Sequence, residues 1–163
     1  MTETGIELGA SFETIAPDAK AWVYTSNQEF SGEQLAEIEK YAEVFLSKWD
    51  SHGKMVKGNI QVLKNRFVAI FADTEGDTMC GSAQDASVRF VKELEEILNV
   101  KLMDRMLIAF NQNDTILALP FNQLREKIAT GEVSKLSNFY NGLVSSKTEF
   151  ITNWETPIEG SWL

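Results

Sequence analysis

The 163-residue chain has one cysteine, Cys80, and one histidine, His52. A single thiol excludes an intramolecular disulfide and any thiolate zinc cage, and a single imidazole excludes multi-histidine sites, so neither a metal nor a cofactor is expected. Three prolines and the lack of any repeat or low-complexity tract leave no linker at which to divide the chain. No run approaches the roughly 18 consecutive apolar residues of a membrane span. The opening stretch, MTETGIELGASFETIAPD, carries acids where a secretory signal needs a basic start and an apolar middle. A cytoplasmic protein with no membrane partner is the expectation.

Against these absences stand 44% hydrophobic residues and a formal charge of −9. Length and composition together predict a lead-in arm over 1–18 and a single α+β domain over 19–163. The charge is uneven: residues 1–50 carry −7, residues 51–72 carry +4 with no acid, and residues 73–99 carry −5. A net-acidic surface repels nucleic acid at long range, so a polyanion partner is disfavoured. The exception is a basic hairpin at Lys54, Lys57, Lys64 and Arg66, which offers an alternative reading as an RNA- or ribosome-associated factor.

Hydrophobic periodicity orders the elements. Residues 21–25 alternate as a strand, and Ser31 with Gln34 has capping-box spacing ahead of an apolar stripe at Leu35, Ile38, Ala42, Phe45 and Trp49. Gly53 suits the left-handed end of that helix. Runs at 60–63 and 66–72 flank Lys64-Asn65 as an antiparallel hairpin, and 67–71 is apolar on both faces, as a central strand is. A second helix begins near Ser82–Asp85 and buries Val88, Val91, Leu94 and Leu98. A hairpin turning at 111–114, a helix between Pro120 and Gly131, a strand over 139–144 and a capped turn over 146–154 complete the order. The sum is βαββαβ with an added C-terminal strand, helix and tail: a ferredoxin-like split βαβ fold with both helices on one sheet face.

The loop 76–83 has the glycine spacing of a phosphate-binding P-loop at Gly76 and Gly81. It carries Ser82 and Ala83 where the phosphate lysine and the Mg²⁺-ligating hydroxyl belong, so nucleotide hydrolysis is not expected there. Free N–H groups at the helix start still suit a small anion, with Gly81, Ser82, Asp85 and Ser87 around it and Arg66 and Arg105 contributing from elsewhere. The plain alternative is a helix capped by Ser82 or Asp85. Cys80 just precedes this helix, where the dipole favours thiolate, and His52 is the candidate base if it lies nearby. Asp73, Glu75, Asp77 and Asp85 match a calcium loop poorly, because Thr78 and Gln84 replace its glycine and its bidentate glutamate.

Several short segments taken together resemble a family of small bacterial proteins, many of which carry the automatic label ABC transporter ATPase. They are Ser26-Asn27, Trp49 with His52-Gly53, Arg66-Phe67, Cys80-Gly81-Ser82 with Asp85, Ser87 and Phe90, Leu94-Glu95, Asp104-Arg105, and a tail of Glu149-Phe150, Trp154, Pro157 and Ser161-Trp162. The resemblance spans residues 21–162. Relatives are richer in serine after the aspartate, where this chain has Ala86. The label implies Walker A, signature and Walker B segments; this chain has only an incomplete first one, so the resemblance does not extend to ATPase activity. The leading expectation is a binding or accessory module for a small anion or a protein partner at residues 80–87. The alternative is an enzyme with Cys80 as nucleophile and His52 as base.

Overall fold

The computed structural model describes residues 4–163. At its centre are β5 (Lys57–Leu63) and β6 (Phe67–Asp73), paired antiparallel. Lys64 and Asn65 both adopt positive φ, and the Arg66 N–H donates to the Leu63 carbonyl at 3.0 Å, closing the tight turn expected from the sequence. β1 (Thr4–Gly9) flanks β5 and β2 (Lys20–Thr25) flanks β6, giving an antiparallel sheet of order β1-β5-β6-β2. The segment expected as an arm thus supplies an edge strand.

One face of this sheet carries both long helices, as expected. α1 (Gly32–Lys48) starts on a complete capping box: the Gln34 N–H donates to Ser31 Oγ, and the Ser31 N–H donates to Gln34 Oε1 at 2.8 Å. Two short strands, β3 (Asp50–Ser51) and β4 (Lys54–Met55), precede β5 as a small hairpin. α2 (Gly81–Leu98) buries Ala83, Ser87, Phe90, Val91, Leu94 and Leu98, a stripe of helical period. Ile38 and Ala42 of α1 join this stripe against Ile60, Val62, Val68 and Ile70 of the sheet.

The other face is covered by a second antiparallel sheet. It comprises β7 (Leu107–Gln112), β8 (Thr115–Pro120), β9 (Asn138–Tyr140) and β10 (Glu155–Pro157), in the order β10-β9-β7-β8. Phe67, Ala69 and Phe71 pack there against Ala109, Tyr140 and Trp154. α3 (Phe121–Thr130), ended by Gly131 at φ 85°, covers the outer side of this sheet through Leu124. α4 (Lys147–Asn153) closes one end.

The molecule is therefore α+β with antiparallel sheets, layered helices–sheet–sheet. In a split βαβ arrangement the strand after the second helix returns to the open edge of the first strand, here β2. Instead β7 pairs with β8 and β9. The reason lies in β6, all seven residues of which are buried. With both helices on one side, its second apolar face needs a covering layer, and β7 supplies it.

Candidate functional site

The site is assembled by the two segments that flank the β5–β6 hairpin. His52 (φ 55°) and Gly53 (φ 77°) form the two-residue turn between β3 and β4. This corrects the expectation that Gly53 ends the first helix: α1 stops at Lys48, and the chain leaves it extended at Trp49. The Trp49 indole N–H donates to the Ala83 carbonyl at 2.8 Å, fastening the small hairpin to the first turn of α2. Ser51 Oγ accepts the Cys80 N–H at 2.9 Å. His52 Nε2 lies 3.1 Å from the Thr78 carbonyl oxygen. A carbonyl can only accept, so Nε2 carries the proton in this contact.

Cys80 occupies the N-cap of α2 and is partly exposed. The expected cap, Ser82 or Asp85, is displaced by it. Ser82 Oγ approaches the sulfur at 3.3 Å. Sγ makes no capping hydrogen bond of ordinary length, yet the Ser51 hydroxyl and the N–H groups of His52 and Ala83 also stabilise negative charge on it. Led by Ser82, these donors hold the thiol at about 6, against a usual 9.0. His52 thus serves the sulfur through its backbone, while its ring is turned to Thr78.

Gly81 and Ser82 are exposed beside the sulfur, and a Cβ on Gly81 would meet nothing, so no close approach demands glycine there. Asp85 is exposed and is not among the groups acting on the sulfur. Ser87 does not line the site: it is buried and donates to the Gln84 carbonyl at 2.7 Å.

Arg66 and Arg105 stand elsewhere. Arg66 immediately precedes β6 whereas Cys80 follows its far end, and the seven strand residues span about 20 Å. Its guanidinium donates to three carbonyls, of Ser26, Asn27 and Ile116 at 3.1–3.3 Å, and its pKa is lowered by burial. It ties loops together. Arg105 lies near Tyr24, beside the last residues of β2.

The other clusters expected from the sequence are also engaged. Both oxygens of buried Asp73 accept backbone N–H groups, from Ala16 at 2.9 Å and Glu75 at 2.8 Å. Lys54 pairs with Glu75 and Asp77, Lys64 with Glu155, and Lys57 donates to the Thr14 carbonyl. With Arg66 also bound internally, none of the four basic-hairpin side chains is idle. Ser51 is the contributor that sequence reasoning missed; only the β3–β4 hairpin brings its hydroxyl to Cys80.

A cleft of about 430 Å³ between α1 and α2 opens next to Ser82, with Phe45, Phe90, Lys48 and Arg89 among its walls. Phe45 and Phe90 stack there with ring centroids 4.6 Å apart. Compared with protein-family models, with curated proteins and with solved structures, the chain matches none, and the character of the site rests on its own geometry.

Proposed function

We propose that the protein acts through Cys80 as a nucleophilic thiolate that exchanges with disulfides. The attacking Sγ forms a bond to one sulfur of the disulfide, the original S–S bond breaks, and its electron pair leaves on the second sulfur as a thiolate. The observation that carries this reading is the Ser82 hydroxyl 3.3 Å from a partly exposed sulfur at the N-cap of α2, with Ser51 held beside it by the Cys80 N–H. Such donors lower the energy of charge on sulfur, and this helps Cys80 both to form and to leave a mixed disulfide. No base is required when the thiolate is already present, which fits the engagement of the His52 ring elsewhere. The chain has no second cysteine, so the resolving thiol is external.

A second reading keeps the site as a binding module for a small anion. It is favoured by the absence of acid from the first turn of α2. The two readings differ in pH dependence, because the thiolate already uses the donors that an anion needs. An anion binds well only below about pH 6, while Cys80 is protonated.

Alkylation of Cys80 with a neutral electrophile, followed against pH with and without phosphate, tests both. At pH 7 a thiol with pKa near 6 is ~90% ionised against ~3% for an ordinary one, but its lower intrinsic nucleophilicity returns about tenfold of that gain. The midpoint is therefore the diagnostic quantity. We expect it near 6, moved upward by Ser82→Ala and unmoved by His52→Ala, which keeps the backbone N–H. A midpoint at 8.5 or above would overturn the thiolate reading, and phosphate protection that persists at about pH 8 would replace it with the anion site.

A further inference from the structure

Resting on the thiolate reading above, we infer that the cleft between α1 and α2 is the substrate-binding part of the Cys80 site, and that it takes a small disulfide carrying an anionic group several bonds from its sulfur. The cleft and the sulfur share a wall. Ser82 Oγ lies 3.3 Å from Sγ, and the same residue lines the cleft. From Ser82 the α2 side runs through Ala86, Arg89 and Glu93, a spacing of four, three and four residues that keeps to one helix face.

α1 lies antiparallel to α2. Trp49, at its C-terminal end, bonds to the Ala83 carbonyl, and Gln34 of its first turn donates to the Leu98 carbonyl at 2.9 Å. Lys48 therefore stands beside the first turns of α2, and Arg89 lies about 10 Å along that helix from Ser82. Between the helices the Phe45 and Phe90 rings stack, and Ala86, with only a methyl group, leaves the space beside them open. The resulting volume of about 430 Å³ falls within the range of small-molecule sites, roughly 300–1,000 Å³.

Charge selects the occupant. Four charged side chains line the cleft, and none of them forms an ion pair among the described residues. Asp50 stands at the thiol end, next to the Ser51 that bonds Cys80; Lys48 and Arg89 follow, and Glu93 lies about 6 Å beyond Arg89. The two cations are thus adjacent in this order, with an acid at each end. An anion resting on the aromatic rings meets both cations, whereas a cation finds a single acid at either end. The chain's net charge of −9 repels anions at long range, so a preference for one can arise only from these local groups.

The half of the disulfide seated in the cleft supplies the sulfur that Sγ attacks. A bond forms between the two, the original S–S bond breaks, and the other half leaves into solvent as a thiolate with the electron pair. The mixed disulfide keeps its anionic group on Lys48 and Arg89 until an external thiol attacks the seated sulfur and Cys80 departs as thiolate.

The test reacts the whole protein at about pH 7 with glutathione disulfide, which carries carboxylates, with neutral 2-hydroxyethyl disulfide and with dicationic cystamine. Each rate constant, per total thiol, is divided by that of free N-acetylcysteine amide with the same disulfide, which removes the probe's own reactivity. We expect the normalised rate for glutathione disulfide to exceed the neutral one about fivefold to tenfold, and cystamine to fall at or below the neutral probe. Lys48→Gln and Arg89→Gln should each cut this preference about twofold to threefold and together abolish it, while the neutral rate, which reports an intact thiol and fold, stays unchanged. The comparison of probes on the unaltered protein stands independently of the variants. Equal normalised rates, or a preference that survives the double substitution, would overturn the cleft assignment and leave the thiolate reading in place. A preference for cystamine would overturn it as well and give the cleft to Asp50 and Glu93. If none of the three disulfides reacts faster than with the free thiol, the thiolate reading itself fails and the cleft assignment with it.

Discussion

Replacing Lys147 with methionine isolates a buried ammonium that has no carboxylate partner among the described residues. Lys147 opens α4 and is buried, with Nζ donating to the Phe12 carbonyl at 2.6 Å and the Ile15 carbonyl at 2.8 Å. The Phe12 ring lies 4.4 Å below it. Methionine keeps the length and bulk but strands both carbonyls. Ile15 is 2% exposed, so its carbonyl bears a full desolvation penalty of about 1–3 kcal/mol. The Phe12 carbonyl, nearer the surface, regains water and loses less, and the ring contact adds roughly 1 kcal/mol. Against these losses the variant no longer desolvates an ammonium, which returns part of the sum. The expected net is a destabilisation of about 2 kcal/mol, or roughly 4–8 °C in Tm for a chain of this length. Urea unfolding should show a lower midpoint at unchanged slope, and proteolysis should open the 10–19 segment first. A methionine variant as stable as the parent would refute the reasoning, because it would mean that burying the charge costs as much as its bonds return.

The remaining predictions concern packing and titration. Gly58→Ala places a Cβ 2.8 Å from Leu46 Cδ2 and 3.1 Å from the Trp49 ring, so it should cost about 1–3 kcal/mol by denaturation. It should also loosen the β3–β4 hairpin enough to raise the Cys80 alkylation midpoint. Trp49→Phe removes the bond to the Ala83 carbonyl and should raise that midpoint without abolishing folding, as circular dichroism and alkylation measured on one sample would show. Burial holds the Tyr24 and Tyr140 phenols above the usual 10.0. The folded chain keeps these protons longer than the unfolded one, so stability should fall as pH rises past about 10. The Cys80 thiol acts in the opposite sense, its contribution being present above the unfolded value of 9.0 and lost as pH falls through about 6. An alkaline spectrophotometric titration that finds all three tyrosines normal would contradict the first of these signs, and a Cys80→Ala variant with an unaltered pH–stability curve the second.

Features set by a few neighbouring residues were legible in the sequence. The Ser31–Gln34 capping box, the Lys64-Asn65 turn and the Gly131 stop each depend on chemistry within about four positions, and each is present as expected. The candidate site was half legible. Cys80 could be placed at a helix start from the order of elements alone, and His52 proved adjacent, though through its N–H and not its ring. Ser51 could not be found, because its role depends on the pairing of Asp50–Ser51 with Lys54–Met55, two strands too short to carry periodicity. Arg66 illustrates the converse error. An arginine beside a strand looks available in sequence, and only tertiary contacts show its guanidinium occupied by three carbonyls. The second sheet escaped for a related reason: an all-apolar strand announces that both faces are covered but not what covers them.

The position of the thiol between the β3–β4 hairpin and the start of α2 has a kinetic consequence. Every group that acts on its sulfur lies between Ser51 and Ala83, and the strands between them, β5 and β6, are joined by a three-residue link. By contrast, β2 reaches β6 only across the whole of α1, and β1 reaches β5 across about fifty residues, so both edges demand long loop closures. The site thus belongs to the most local part of the fold. A chain still gathering its outer strands should already hold Cys80 as a thiolate, and the onset of rapid alkylation during refolding should precede protection of the β1 and β2 amides.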